Sequence, residues 1–212
     1  MGTAGLTCIV DHNQFKVAQY GKWDHYPSGQ GLNALTILHW LDIDEFKQKI
    51  DKVNVINDWH LGFILKPFDS RPEERKATEP NRLTSEDDQK FADMCPEFDN
   101  TTGAEIIELI DKSNGKIAVR DDTDFAADSL MCEWLWLVDL DQNTFEAYTG
   151  FNTEPLTEKD RFYFLQERAI QINKRNLRMG IRNNYYPVKH HTSFDLLNLP
   201  SGKEFLSRFD ED

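Results

Sequence analysis

The sequence predicts an α+β or α/β fold in which a mostly antiparallel sheet carries flanking helices. Two hairpin patterns, near the N-terminus and at 130–148, predict paired strands, and apolar stripes at helical spacing predict the helices. The chain has 212 residues, of which 39% are apolar, enough for a buried core. We expect a single domain over 1–212. If the two hairpins lie in facing sheets, the result is a layered αββα sandwich.

Eleven elements follow one another in the order ββαα, a polar excursion, αβββ and αβα. They are predicted near 6–10, 15–20, 32–41, 42–50, 102–114, 116–119, 130–140, 144–148, 157–178, 185–196 and 200–209. Turn residues separate the strands of each hairpin, with Asp11-His12-Asn13 in the first and Asp141-Gln142-Asn143 in the second.

Several polar residues mark the expected helix ends. Asp42 or Asp44 is a cap for the second helix, and Thr101 or Thr102 for the third, which Gly115 ends. Thr157 with Asp160 resembles a capping box, and Pro200-Ser201 opens the last helix.

The stretch 66–100 differs in composition from the rest of the chain. It contains ten acidic residues and few aliphatic ones. We interpret it as a long surface excursion with one short helix that begins after Thr84 or Ser85. A loop of this length is unusual in a domain unless it is functional or mobile.

Charge and composition exclude several classes of protein. The formal net charge of -13 argues against duplex nucleic-acid binding, which requires neutralisation of phosphates. No run of 18 apolar residues is present, so we expect no membrane span, and the N-terminus lacks the pattern of a secretory signal. The three cysteines cannot all pair within one chain, which favours reduced thiols in a cytoplasmic protein.

The segment Gln19–Gly31 is the densest motif in the chain. Tyr20, Trp23 and Tyr26 are able to wall a pocket. The neighbouring Asp24 and His25 supply acid and base groups. The alternative is a rigid loop whose aromatic residues pin it in place. On either interpretation we expect the loop to be ordered.

The same loop ends where a helix begins. Backbone N–H groups at Ser28 and Gly29 would point at an anion there. We expect the Trp23–Gly31 loop to pack on the hairpin 130–148, with Trp23 contributing to the core.

The start Met1–Leu6, the motif Gln19–Gly31 and the later runs Cys132–Trp134 and Val138–Asp141 resemble a largely uncharacterised protein family of bacteria, phages and fungi. Members of that family begin with Met-Gly-Thr-Arg-Gly and carry Gln-Trp-Asp-Gly-Tyr-Pro-Ser-Gly. This chain departs at Ala4, where arginine is usual, and at His25, where glycine is usual. The resemblance names a family without naming a function, and a phage or host-defence interaction protein stays open as an alternative.

An N-terminal-nucleophile amidohydrolase is the alternative from the class of enzymes. Such hydrolases begin with a nucleophile on a first strand and use the free α-amino group as the base. Thr3 and Cys8 are the candidate nucleophiles, and Asp24 would orient the amine or the substrate. The residues before the nucleophile would have to be removed.

Positive charge is concentrated between residues 161 and 191. Seven bases and one acid give this segment a charge of about +6. The bases are Arg161, Arg168, Lys174, Arg175, Arg178, Arg182 and Lys189. Interleaved aromatic residues suit a phosphate together with a stacked base. The alternative is a basic surface that neutralises the acidic excursion of the same chain.

A second acidic group, Asp121, Asp122, Asp124 and Asp128, lies near Glu133 but has no calcium-loop spacing. His190 and His191 point to opposite sides of a strand. The chain has no CxxC, HExxH, GxSxG or phosphate-loop motif, so we expect neither metal nor cofactor.

The function that we predict is the binding of a small anionic, nucleotide-like ligand between the Trp23–Gly31 loop and the basic segment. The residues expected to contact it are Trp23, Tyr26, Ser28, Gly29, Glu133, Arg175, Arg178 and Arg182. The amidohydrolase and a protein that acts only through surface contacts with a protein partner stay open as alternatives.

Overall fold

The computed structural model describes residues 2–56, 58–78 and 83–209. Its strands are β1 (Gly5–Asp11), β2 (Gln14–Gly21), β3 (Asn54–Ile56), β4 (Ala118–Arg120), β5 (Trp134–Asp139), β6 (Thr144–Thr149) and β7 (Lys189–Asp195). Its helices are α1 (Leu32–Trp40), α2 (Ile43–Ile50), α3 (Asp58–Leu65), α4 (Glu73–Thr78), α5 (Ser85–Met94), α6 (Glu105–Lys112), α7 (Gln166–Arg178) and α8 (Gly202–Leu206). Five strands form one sheet in the order β2-β1-β5-β6-β7, and β3 and β4 form a small parallel sheet.

Both predicted hairpins are present, and they belong to the same sheet. His12 and Asn13 have φ values of 52° and 56°, which gives the β1–β2 turn the backbone twist that suits a hairpin. β1 then pairs with β5 in parallel, with Gly5 opposite Trp134, whereas the other strand pairs of the large sheet are antiparallel. The mostly antiparallel α+β fold is therefore confirmed. The hairpins do not face each other in separate sheets, so the conditional αββα arrangement is not formed.

The sheet has a separate apolar layer on each face. Ile9, Trp136 and Phe145 point to one face, where residues of α1, α2, α6 and α8 pack against the strands. Cys8 and Leu137 point to the other, which is covered by α7 and by turns that include Thr123–Ala127. Because β1 contacts both layers, all seven of its residues are buried. In the described part of the chain, no helix is long and apolar enough to cross a membrane.

The excursion is more ordered than the sequence predicts. Helices α4 and α5 occupy it, and Thr84 caps α5 by accepting a hydrogen bond from the Asp87 backbone N–H at 3.2 Å. Phe91 and Phe98 pack with residues of β3 and α3 in a third apolar cluster. The sequence did not reveal this cluster because its few apolar residues lie far apart in a polar stretch. Residues 79–82 lie outside the described part of the chain.

The helix caps were predicted with mixed success. Asp42 caps α2, with its Oδ1 accepting the Glu45 N–H at 3.0 Å, and Ser201 forms a complete capping box on α8. The prediction of Thr101 or Thr102 as the cap of α6 was wrong, since Ala104 precedes that helix and the Thr102 hydroxyl donates to a loop carbonyl. Thr157 with Asp160 closes a local turn, and α7 begins only at Gln166.

We predict that Trp136→Phe destabilises the fold by about 1–3 kcal/mol, because it removes a buried hydrogen bond and leaves a carbonyl oxygen unsatisfied. Trp136 is fully buried, and its Nε1 donates to the His25 carbonyl at 2.9 Å. Urea unfolding measures the change. The control Trp40→Phe, at a site 87% exposed, should change stability by less than about 0.5 kcal/mol. Equal losses would contradict the assignment.

Candidate functional site

His25 closes the end of the first hairpin. Its ring is fully buried against Gly5 and Gly21, which are paired across β1 and β2. A Cβ at either glycine would overlap the ring, so both positions exclude larger residues. The two glycines and the histidine therefore form one packing unit, in which the ring fills the space left by two missing side chains.

Burial keeps the His25 ring neutral, against the effect of its polar neighbours. Nδ1 lies 3.1 Å from the Trp23 carbonyl, and Nε2 is buried with no hydrogen-bond partner among the described residues. Burial lowers the pKa of His25 from 6.5 to about 4, although the Trp23 carbonyl and Asp24 oppose the shift. A neutral ring enclosed by backbone is poorly placed to exchange protons with a substrate, which counts against His25 as a catalytic base.

The Trp23–Gly31 loop is ordered and packs on the second hairpin, as predicted. The Trp136 ring lies against Gly31, and Gln30 Oε1 accepts the Ala104 N–H at 2.8 Å. Trp23, however, is 44% exposed and lies beside Gly2, so the prediction that it belongs to the core was wrong. Its ring faces Lys22, whose Nζ lies 4.9 Å from the ring centre.

The other polar and aromatic residues of the loop face outward. Asp24 is exposed and adopts a φ of 61°, and its carbonyl accepts the Gln30 N–H at 2.7 Å. Tyr26 and Ser28 are exposed as well. Of the aromatic residues of the loop predicted to wall a pocket, Trp23 lines a cavity of about 450 Å³ together with residues of α5. Backbone hydrogen bonds explain much of the loop's conformation.

The two candidate nucleophiles differ in their surroundings. Cys8 is fully buried in β1, and burial raises the pKa of its thiol well above the usual range, which argues strongly against a thiolate nucleophile there. Thr3 is half-buried, and its carbonyl accepts the His25 N–H at 3.0 Å. The backbone at Thr3 therefore helps to hold the His25 loop.

An open cleft of about 750 Å³ lies between the end of β2, the Thr123–Ala127 turn and α7. Its lining combines arginines, aspartates and aromatic rings. The lining residues are Tyr20, Asn100, Arg120, Asp121, Asp122, Asp124, Phe125, Asp128, Arg168, Gln171, Ile172 and Arg175. Its volume is within the range of small-molecule sites. The cleft thus joins the second acidic group of the sequence to the basic segment.

Two arginines of α7 contact this acidic group through loose ion pairs. Arg168 lies 3.2 Å from the Asp124 carboxylate, and Arg175 lies 3.6 Å from that of Asp128. Their side chains remain 59% and 65% exposed. Asp128 is largely buried, its Oδ1 accepts no hydrogen bond from the described residues, and burial raises its pKa. Two bases of the segment are therefore paired with the 121–128 group.

Tyr20 and Phe125 give the cleft an aromatic wall. Their ring centres are 4.9 Å apart in an edge-to-face arrangement, and the Tyr20 backbone N–H donates to Asp122 at 3.2 Å. Burial, with a smaller contribution from Asp122, raises the pKa of the Tyr20 hydroxyl, so that it stays a neutral donor.

The structure does not bring all of the predicted site residues together. Arg175 lines the cleft, whereas Asp24, His25 and Glu133 do not. Glu133 is half-buried just before β5, and its backbone bonds to Ala4 and Gly150. Arg178 and Arg182, predicted as ligand contacts, are exposed outside the cleft. Tyr20, predicted to wall a pocket, does line the cleft. Sequence reasoning missed Phe125 as its neighbour there, because nothing local links β2 to the turn after β4.

Arg161, the first base of the segment, forms ion pairs with carboxylates of the sheet and does not line the cleft. Its guanidinium contacts Asp139 and, at 3.2 Å, Glu146, and its Nε donates to the Tyr148 hydroxyl at 3.1 Å. Both carboxylates are buried. This contact explains why Asp139 is tolerated in the apolar strand β5. The positive charge of Arg161 stabilises the buried carboxylates of Asp139 in β5 and Glu146 in β6.

No protein-family model, curated protein or solved structure matches this chain. The resemblance drawn from the N-terminal motif therefore remains an expectation.

We predict that His25 makes stability depend on pH. Because its pKa is about 4 when folded and near 6.5 when unfolded, the unfolded chain binds the extra proton between these values. The His25 contribution should fall by about 3 kcal/mol as the pH falls from 6.5 to 4, and change little below that. His25→Asn should flatten this slope in urea unfolding, whereas His39→Ala, at an exposed histidine, should retain it. An unchanged slope in His25→Asn would refute the assignment.

We also predict that Arg161→Met costs about 3–5 kcal/mol, since it leaves two buried carboxylates without their cation. The matched control is Arg168→Met, which removes an exposed pair and should cost no more than about 1 kcal/mol. Denaturant titration of both variants at neutral pH gives the comparison. Similar small losses would show that the Arg161 cluster is not energetically coupled.

Proposed function

We propose that this chain is a binding protein for a small anionic ligand of the nucleotide class, and that the cleft between β2 and α7 is its site. The observation that carries the proposal is the meeting of exposed arginines, aspartates and an aromatic wall in one cleft. The fold itself carries no argument for this function, since one fold hosts many activities.

The arginines supply the contact for the anionic group. A chain with a net charge of -13 repels anions at long range. The cleft lining carries three arginines and four aspartates, so an anion must contact the arginines directly. Arg168 and Arg175 are seven residues apart on α7, about two turns, so they project from the same face. The Arg168–Asp124 pair is exposed on both sides and is worth only about 0–1 kcal/mol, so a phosphate is able to replace this carboxylate at low cost. Arg175 is exposed and lies 3.6 Å from the buried Asp128 carboxylate, so it is able to contact a phosphate while it stays near Asp128. Arginine also binds phosphate through two parallel hydrogen bonds.

The acidic and aromatic residues favour a nucleotide over a simple anion. Asp121 and Asp122 would accept hydrogen bonds from sugar hydroxyls or a base amino group, and they repel ligands that carry negative charge alone. Tyr20 and Phe125 offer ring surface to a base. A nucleotide has a phosphate for the arginines, hydrogen-bond donors for the aspartates and a flat base for the aromatic rings.

We expect mononucleotides to bind in calorimetric titration, more weakly as salt rises, because the contacts are partly exposed. The matching nucleosides, which lack the phosphate, and inorganic phosphate, which lacks the sugar and base, are titrated as well. Each should bind more weakly than the nucleotide. Arg175→Glu and Arg168→Glu should each weaken nucleotide binding at least about tenfold, from the loss of a charged hydrogen bond.

Arg178→Glu is the matched control, because it reverses the same charge on the same helix outside the cleft. It should change affinity far less than Arg175→Glu. If the two reversals weaken binding equally, the effect belongs to the general charge of the segment. If no nucleotide produces heat at low salt, the proposal fails.

A further inference from the structure

A three-residue cluster lies at the turn of the first hairpin, away from the residues that line the cleft. Asp11 ends β1, His12 is the first turn residue, and Asp51 follows α2. His12 Nδ1 lies 2.9 Å from Asp11 Oδ2 and 3.6 Å from Asp51 Oδ1, and all three atoms are within 4.8 Å of one another. Two carboxylate oxygens and one imidazole nitrogen, from two separate parts of the chain, thus lie close together.

Asp11 has an unusual environment for a carboxylate. It is only 5% exposed, and its Oδ2 accepts no hydrogen bond from any described residue. The nearby His12 nitrogen is at hydrogen-bond distance, yet the pair does not form a hydrogen bond, so the ring N–H is not directed at the oxygen. A buried carboxylate oxygen without a donor is costly, and a cation beside it would remove that cost.

We propose that Asp11, His12 and Asp51 bind a divalent transition-metal ion, for which Zn²⁺ is the best match. An imidazole nitrogen with two carboxylate oxygens is a ligand set typical of zinc, whereas Mg²⁺ and Ca²⁺ prefer oxygen alone. Metal–ligand bonds of about 2.0–2.2 Å place tetrahedral ligands about 3.3–3.6 Å apart. The separation of 3.6 Å lies at the upper end of that range, whereas 2.9 Å lies below it, so ligation requires Asp11 Oδ2 and His12 Nδ1 to move slightly apart.

The turn that carries His12 is held in place by backbone hydrogen bonds to Asp141. Both oxygens of Asp141 accept backbone hydrogen bonds, from His12 N–H at 3.0 Å and from Asn13 N–H at 2.8 Å. These bonds fix the direction in which the His12 side chain leaves the turn. The site therefore has supporting contacts outside the ligands themselves, which is a usual feature of metal sites.

Lys16 would compete with a metal ion for the Asp51 carboxylate. Its Nζ lies 3.4 Å from Asp51 Oδ1, at a carboxylate that is half exposed. A divalent ion would neutralise both carboxylates, whereas Lys16 contacts one. His12 and Asp51 are open to solvent, so the ion has an entry path and water would complete its coordination.

The test uses the full chain without an affinity tag, freed of metal by a chelator and titrated with zinc chloride at neutral pH. One ion per chain should bind, and magnesium and calcium chloride should bind more weakly. At a zinc concentration 100 times Kd, the Tm should rise by about 5–10 °C, because the ion binds only the folded chain. Cobalt, as a coloured substitute, should give the absorption of a low-symmetry N/O site.

His12→Ala and Asp51→Asn should each weaken zinc binding at least about tenfold. Two matched controls should leave it unchanged, His39→Ala for the imidazole and Asp44→Asn for a carboxylate of α2. Asp11→Asn should leave the metal-free chain folded, since it removes a buried charge, but should abolish the rise in Tm.

The proposal is overturned if the wild-type chain does not bind zinc, or if His12→Ala and Asp51→Asn bind it as tightly as the controls do. In that case His12 and the two carboxylates form a local side-chain cluster that binds no ion. Because the cluster residues do not line the nucleotide cleft, nucleotide binding by metal-free protein would be unaffected by this outcome.

Discussion

The parallel pairing of β1 with β5 is the constraint on which the rest of the structure depends. An isolated two-stranded hairpin is at best marginally stable in water, and this pairing joins two hairpins into one sheet. It places β1 in the interior, with a strand on each side and an apolar layer on each face. The site elements follow from it, since β2 reaches the cleft only because β1 is fixed against β5.

The contacts at the two ends of β1 explain why most of the Gln19–Gly31 motif lies outside the cleft. At the first end, His25 fills the space beside Gly5 and Gly21, and its carbonyl receives the Trp136 N–H. At the second, the turn after β1 is bonded to Asp141 at the end of β5. Groups whose chemistry looks catalytic in the sequence thus contribute to joining the hairpins, and the cleft is left to side chains of β2 and α7.

The parts of the fold that could be predicted are those set by neighbours in the chain. Both hairpins, α1 and the α2 cap at Asp42 were found because alternation, turn residues and capping act over a few residues. The β1–β5 pairing, the short β3 strand and the third apolar cluster depend on contacts between distant segments. For the same reason, the acidic group and the basic segment were each recognised, but not that Arg175 lies beside Asp128. Asp11 and His12 were interpreted only as turn residues, because Asp51 is distant in sequence.

The β1–β5 pairing also sets an order of events during synthesis. Gly5 must wait for Trp134 to be made, about 130 residues later, which at usual rates of translation takes about 6–26 s. Throughout that interval β1 has β2 on one side and an open, apolar edge on the other. Exposed edges of this kind pair readily with other chains. The nascent chain therefore presents an unpaired apolar edge of β1 early and covers it only when β5 has been made.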